Sequence, residues 1–214
     1  KNKGLTFALN KALTLADGNY IARMDSDDIS LPERLEKQVK FLDQHPNVIA
    51  VGTQCELIDE SGKVFGHKMF PTESKKLYNM MFQIMPMQHP TIMVRGDVYR
   101  RERYEDQPTA EDVSLYFRLL RHGNLANLDE VLFQYRIRQN SNSLKNIKRT
   151  FLITFKTRLR AVSEWGYKPS VYSIMLNVFQ LLVVTVLPPF VVLAIYELAR
   201  FSKSSGQKNG RVAS

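Results

Sequence analysis

The sequence predicts an α/β layered fold followed by an apolar C-terminal helix. Helix-spaced and strand-like apolar patterns alternate through the first half of the chain, as expected when helices pack on the faces of a sheet. There is no internal repeat. One long uncharged stretch, between Lys168 and Glu197, stands apart from the alternating part.

Leu5, Ala8, Leu9, Ala12 and Leu13 recur at helical spacing, with Gly18 beyond the helix end. Tyr20-Ile21-Ala22-Arg23 reads as a strand running into Met24-Asp25-Ser26-Asp27-Asp28. Ser30 and Glu33 have capping-box spacing, with Pro32 in the first turn. They predict a helix to about His45 with Leu35, Val39 and Leu42 inward. Val48–Val51 is a buried strand that continues through Glu56–Asp59, and Glu60–Lys63 is a hairpin turn. Leu77, Met80, Met81 and Ile84 predict a helix ended before Pro86; Thr91–Val94 is a short strand. Val113, Tyr116, Phe117 and Leu120 place a helix over 110–122, stopped by Gly123. Val131–Arg136 is strand-like, and Leu144–Trp165 is a long basic helix. The polar tail after Ser202 is too poor in apolar residues to pack.

The 214 residues are 44% apolar, enough for a core, and carry a net charge of +9. That excess calls for an anionic partner. Its distribution favours a membrane over nucleic acid, because basic residues crowd both sides of the uncharged stretch: Lys145 to Lys168 before it, Arg200 to Arg211 after it. At roughly 20 apolar residues a helix can span a bilayer. One span kinked at Pro188-Pro189 is the expectation, with a re-entrant or surface-lying segment next and a buried core helix disfavoured by the basic flanks. The single Cys55 excludes an internal disulfide and a thiolate metal site.

In a strand, Asp25 and Asp27 would share a face and Asp28 would point away. Paired carboxylates suit Mg2+ or Mn2+ completed by a substrate's phosphates; an acidic turn before a helix is the competing reading. Glu111-Asp112 opens a helix, where the N-terminal dipole lowers a carboxylate pKa. Asp112 is therefore either an ionised general base or an ordinary first-turn acid. His89 could donate to a phosphate or sugar hydroxyl, or be structural. Arg136 could clamp a diphosphate, or be a solvated strand end.

Taken in order, Asn2-x-Gly4, Ala22-Arg23-Met24-Asp25-Ser26-Asp27-Asp28, Leu31-Pro32-Glu33-Arg34-Leu35-x-x-Gln38, His89-Pro90-Thr91, Glu111-Asp112-x-x-Leu115-x-x-Arg118 and Tyr135-Arg136 resemble glycosyltransferase family 2 over about residues 2–143. The resemblance implies a GT-A (Rossmann-like) mixed sheet flanked by helices. It implies inverting transfer of a sugar from a nucleotide-diphosphate sugar to an acceptor hydroxyl, on a lipid-linked or saccharide acceptor in polysaccharide biosynthesis. It also implies Mn2+ or Mg2+ at Asp25 and Asp27, donor contacts from Asp25, His89 and Arg136, and Asp112 as base. The two βα units that usually precede the Asn-x-Gly helix do not precede it in this sequence. The Gln-x-x-Arg-Trp motif of processive synthases is missing, which favours transfer of single sugars.

The expected organisation is a catalytic part over 1–143, a basic linker helix over 144–168, a membrane-associated or transmembrane segment over 169–197 and a basic tail over 198–214. Nucleotide sugars are cytosolic, which places the catalytic part at the cytoplasmic face of a bacterial inner membrane. Two other functions use the same features. A nucleotidyltransferase would release pyrophosphate instead of a nucleoside diphosphate. A non-catalytic membrane-surface module would bind no donor.

Overall fold

The computed structural model describes residues 3–138, 147–188 and 191–192. Asn2, residues 139–146 and residues 198–214 lie outside them, as does most of the apolar stretch after Pro188. The elements are α1 (Leu5–Leu15), β1 (Tyr20–Ala22), β2 (Ile29–Ser30), α2 (Arg34–Gln44), β3 (Val48–Ile58), β4 (Val64–Lys68), α3 (Ser74–Met81), a 3₁₀ turn (His89–Thr91), β5 (Met93–Arg95), α4 (Gly96–Glu102), α5 (Glu111–Leu119), β6 (Asn124–Arg136), α6 (Ile147–Ser163) and α7 (Val171–Val186).

The strands form one mixed sheet in the order β1-β5-β3-β6-β2, with β4 also paired to β3. β3 and β6 run parallel from the Val48↔Asn124 pair to the Ile58↔Arg136 pair. β5 is antiparallel to β3 and to β1. β3 is covered on both faces and buried along almost its whole length, which is why Val48–Val51 reads as a continuous apolar run rather than an alternating one. On one face Leu42 of α2 packs with Val48, Val51, Met93 and Ala126. The larger core on the other face gathers Leu13, Leu77, Met81, Val98, Leu115, Phe117 and Leu119 from α1, α3, α4 and α5.

Helix α2 departs from expectation in an informative way. Ser30 pairs with Phe133 in the sheet, so no capping box forms; Glu33 instead pairs with Lys37 at 2.6 Å. Leu35 is exposed, and the inward face is Arg34, Gln38 and Leu42. Buried polar groups are tolerated only when hydrogen-bonded, and these two are. Arg34 donates to Gln38 Oε1 (3.1 Å) and to the Arg23 carbonyl (2.8 Å), and its guanidinium lies 4.8 Å from the centre of the Phe133 ring. Gln38 Nε2 donates to the carbonyls of Val51 (2.9 Å) and Thr91 (2.8 Å). The pair ties the loop after β1 to the His89–Thr91 turn and to β3.

Most of the expected membrane span after Pro188 lies outside the described residues. Among the described residues no helix is long and apolar enough to cross a membrane. α7 has 16 residues and ends at Val186, ahead of Pro188. At 1.5 Å per residue that is about 24 Å, short of the roughly 30 Å hydrocarbon core.

Candidate active site

β1 ends at Ala22, so Asp25 and Asp27 do not share a strand face as expected. They sit in a turn closed by the Asp28 N–H donating to the Asp25 carbonyl at 3.3 Å. Asp28, expected to point away, is the buried member. Its Oδ1 accepts from the Arg136 N–H at 2.8 Å, and its Oδ2 is buried without a partner. Burial, aided by the charges of Asp25 and Asp27, pushes its pKa up to about 6. The three carboxylates therefore feel one another.

The end of β6 braces this turn. Arg136 Nε donates to the Asp27 carbonyl (2.7 Å), and Nη1 donates to the Asp59 carbonyl (2.7 Å). Arg138 pairs with the Asp27 carboxylate at 2.9 Å. Arg136 thus holds backbone rather than standing free at the strand end. β2 brings the turn here by pairing Ile29 with Gln134 and Ser30 with Phe133.

Arg23 was quoted in the sequence without a role and emerges as the hub. Its side chain is buried; Nη2 lies 2.6 Å from Asp25 Oδ1, while Nε and Nη1 are buried without partners. Its positive charge lowers the pKa of Asp112, of Asp28 and of His89. The charge of Arg23 thus acts both on the acidic turn after β1 and on the start of α5. The signal available in the sequence was a cation ending an apolar strand immediately before an acidic run.

Asp112 is in the first turn of α5 and half-buried. Here the expectation from the helix dipole is reversed. Burial, then the neighbouring charge of Glu111, push its pKa up to about 6, against the lowering by Arg23 and by backbone N–H groups. At pH 7 it remains mostly ionised, roughly ten to one, and is a better-matched proton acceptor than an ordinary aspartate. The residue before α5, Ala110, adopts the left-handed conformation (φ 57°, ψ 35°), strained for a non-glycine residue.

His89 is buried in the 3₁₀ turn. Its Nε2 is 2.8 Å from Tyr104 Oη, which in turn contacts Tyr99 Oη, and its Nδ1 is 3.9 Å from Glu111 Oε1. Burial, with the Arg23 charge, holds its pKa well below the usual value, so it is a neutral imidazole linking the 3₁₀ turn to the Glu111-Asp112 pair. Asn10 of α1 accepts from the Tyr104 N–H and donates to its carbonyl, both at 2.8 Å. Tyr116, one turn after Asp112, has a buried hydroxyl without a partner, and burial and the Asp112 charge raise its pKa.

Among the described residues no group of three or more His, Cys, Asp or Glu side chains forms a metal cage. The donor set nonetheless suits a hard cation whose remaining ligands are phosphate oxygens. Arg138 is exposed and Asp27 half-buried, and pairs at the surface are worth about 0–1 kcal/mol, so Asp27 is readily released to a cation. Asp25 is held by a buried guanidinium and is not.

Residues 1–106 match the sequence profile described as Glycosyl transferase family 2. The O-antigen biosynthesis glycosyltransferase WbnJ of Escherichia coli is 39% identical over 145 residues, covering 64% of this chain and 55% of WbnJ. The amylovoran biosynthesis glycosyltransferase AmsE of Erwinia amylovora is 36% identical over 138 residues, covering 64% of this chain and 52% of AmsE. The chain thus spans about half the length of these curated relatives. The mannosyltransferase PcManGT from Pyrobaculum calidifontis, solved in complex with GDP-Man and Mn2+, superposes with a TM-score of 0.50 at 14% identity, covering 98% of this chain and 68% of that one. The shared architecture is the GT-A sheet, and the chain belongs to glycosyl transferase family 2.

Proposed function

We propose that the complete protein transfers a sugar from a nucleotide-diphosphate sugar to an acceptor hydroxyl, with inversion, at the cytoplasmic face of a bacterial inner membrane. The observation that carries this reading is Arg23: one buried guanidinium pairs with Asp25 and its charge acts on Asp112, which supports a shared site for the acidic turn and the helix start. Inversion needs a single displacement, with a base at the attacking hydroxyl and positive charge at the departing diphosphate.

Asp112 takes the hydroxyl proton. Asp27, with Asp25 behind it, would hold Mn2+ or Mg2+, which when bound offsets charge on the leaving diphosphate as a Lewis acid. Relatives named for O-antigen and amylovoran biosynthesis support a saccharide or lipid-linked acceptor. The neighbour holding GDP-Man and Mn2+ supports a metal-assisted donor site. Arg136 acts by fixing the Asp27 backbone, and His89 lies beside Glu111 at the start of α5.

The test is turnover of nucleotide sugars by the complete protein with Mn2+ or Mg2+, with the released nucleotide identified. Release of nucleoside diphosphate, lost in Asp112→Asn, supports the reading. Release of pyrophosphate, or wild-type rates in both Asp27→Ala and Asp112→Asn, overturns it.

A further inference from the structure

Helix α7 is built inside out. Two of its polar residues face the protein: Asn177 is 1% exposed and Ser173 is fully buried. Asn177 Oδ1 accepts from Arg158 of α6 at 2.8 Å, and its amide donates to the Phe82 carbonyl. Ser173 Oγ accepts from Gln83 at 2.9 Å and donates to the Asn79 carbonyl at 3.3 Å. Ser170 caps the helix by accepting from the Ser173 N–H. The outward stripe is apolar instead. Val171, Met175, Phe179, Leu182 and Val186 recur at one-turn spacing, with Phe179 62% exposed and Val186 75% exposed. An ordinary surface helix shows the opposite arrangement, and leaving such a stripe in water is costly.

We infer that α7 is a membrane-surface helix: it lies in the interface of an anionic phospholipid bilayer with the Met175–Phe179–Leu182 stripe in the acyl boundary. Charge selects that occupant. No acidic residue lies between Glu164 and Glu197, exposed Lys168 sits just ahead of the helix, and the chain carries +9 overall. Apolar area plus basic charge against anionic headgroups is the binding logic of interfacial helices. The polar anchors to Asn79, Phe82 and Arg158 decide lying over spanning. A helix pinned along one side to the α3 region and to α6 presents one face to lipid, while a spanning helix would bury those partners in hydrocarbon.

This rests on the membrane-face reading above for its setting, but not on the chemistry of transfer. The full chain is floated with phosphatidylcholine–phosphatidylglycerol vesicles and with pure phosphatidylcholine vesicles. Binding to the anionic vesicles that weakens with salt supports the inference, as does release by alkaline carbonate. Met175→Glu/Phe179→Glu is expected to lower the vesicle-bound fraction about tenfold or more while leaving thermal unfolding and nucleotide-sugar turnover unchanged. Equal binding by this variant, equal binding to both lipids, or retention until detergent is added overturns it. So does a dimer in vesicle-free buffer that the variant converts to monomer, because the stripe is then a self-interface. Loss of turnover with vesicle binding intact would count against the transferase reading alone.

Discussion

Arg23 Nη2 lies 2.6 Å from Asp25 Oδ1, and the rest of that buried guanidinium has no partner. The ion pair engages one edge of the guanidinium with the acidic turn, and the charge of Arg23 also acts on Asp112. Removing the cation leaves Asp25 unpaired and deprives Asp112 of the charge that lowers its pKa. Arg23→Gln is therefore expected to raise the acid-limb pKa of the kcat/KM profile and to cut kcat/KM about 10- to 100-fold at pH 7, a loss of about 1.4–2.7 kcal/mol. Arg23→Lys restores the charge but not the fork and recovers only part of the loss. An unmoved acid limb in Arg23→Gln would show that Arg23 does not reach the base.

Asp112 links activity to pH with a definite sign. Its pKa is about 6 in the folded chain against the usual 3.8, so the native state takes up a proton as pH falls below about 7. Activity through the ionised form falls about tenfold per pH unit below 6. Stability moves the other way: the raised folded pKa costs stability above 6, and that cost is relieved between 6 and 4. Asp112→Asn is then expected to abolish transfer while raising stability by about 1–3 kcal/mol, read as a higher Tm. A variant both inactive and less stable would contradict the burial argument.

The Arg34–Gln38 pair is a third point of test. Gln38→Ala leaves the Val51 and Thr91 carbonyls without their side-chain donor and Arg34 Nε without an acceptor. Loss of such buried partners costs about 2–4 kcal/mol, measured as a lower urea midpoint at unchanged slope. A loss under 0.5 kcal/mol would remove the pair from the account of how the β1 loop is held.

Much of this was legible in the sequence, and the failures have physical reasons. β3 and α5 were readable because length and apolar pattern agreed with burial. α2 was legible, and Leu42 and Val39 face the core as expected, but Arg34 and Gln38 take the place of Leu35 because they are held inward by hydrogen bonds that no apolar pattern reveals. β2 has two residues and α4 seven, too short to show a period. The Glu111-Asp112 helix start was found, yet the direction of the Asp112 shift was not, since desolvation depends on the fold around it. Arg23 escaped for the same reason: its weight comes from groups distant in sequence, Asp112 and His89 among them.

Ala110 offers a prediction independent of chemistry. Its left-handed backbone directly precedes Glu111. Ala110→Gly relieves the Cβ clash and is expected to stabilise the fold by about 0.5–1 kcal/mol, seen as a rise of a few degrees in Tm. A fall in Tm would mean that the strain is absent in solution.

The most direct test of the central claim is calorimetric titration of the complete protein with UDP and GDP, each with Mn2+, alongside turnover. The account predicts a split: Asp27→Ala loses Mn2+-dependent nucleotide binding, whereas Asp112→Asn binds as the wild type does and fails to transfer. Wild-type Mn2+-dependent binding in Asp27→Ala, or wild-type transfer in Asp112→Asn, would contradict it.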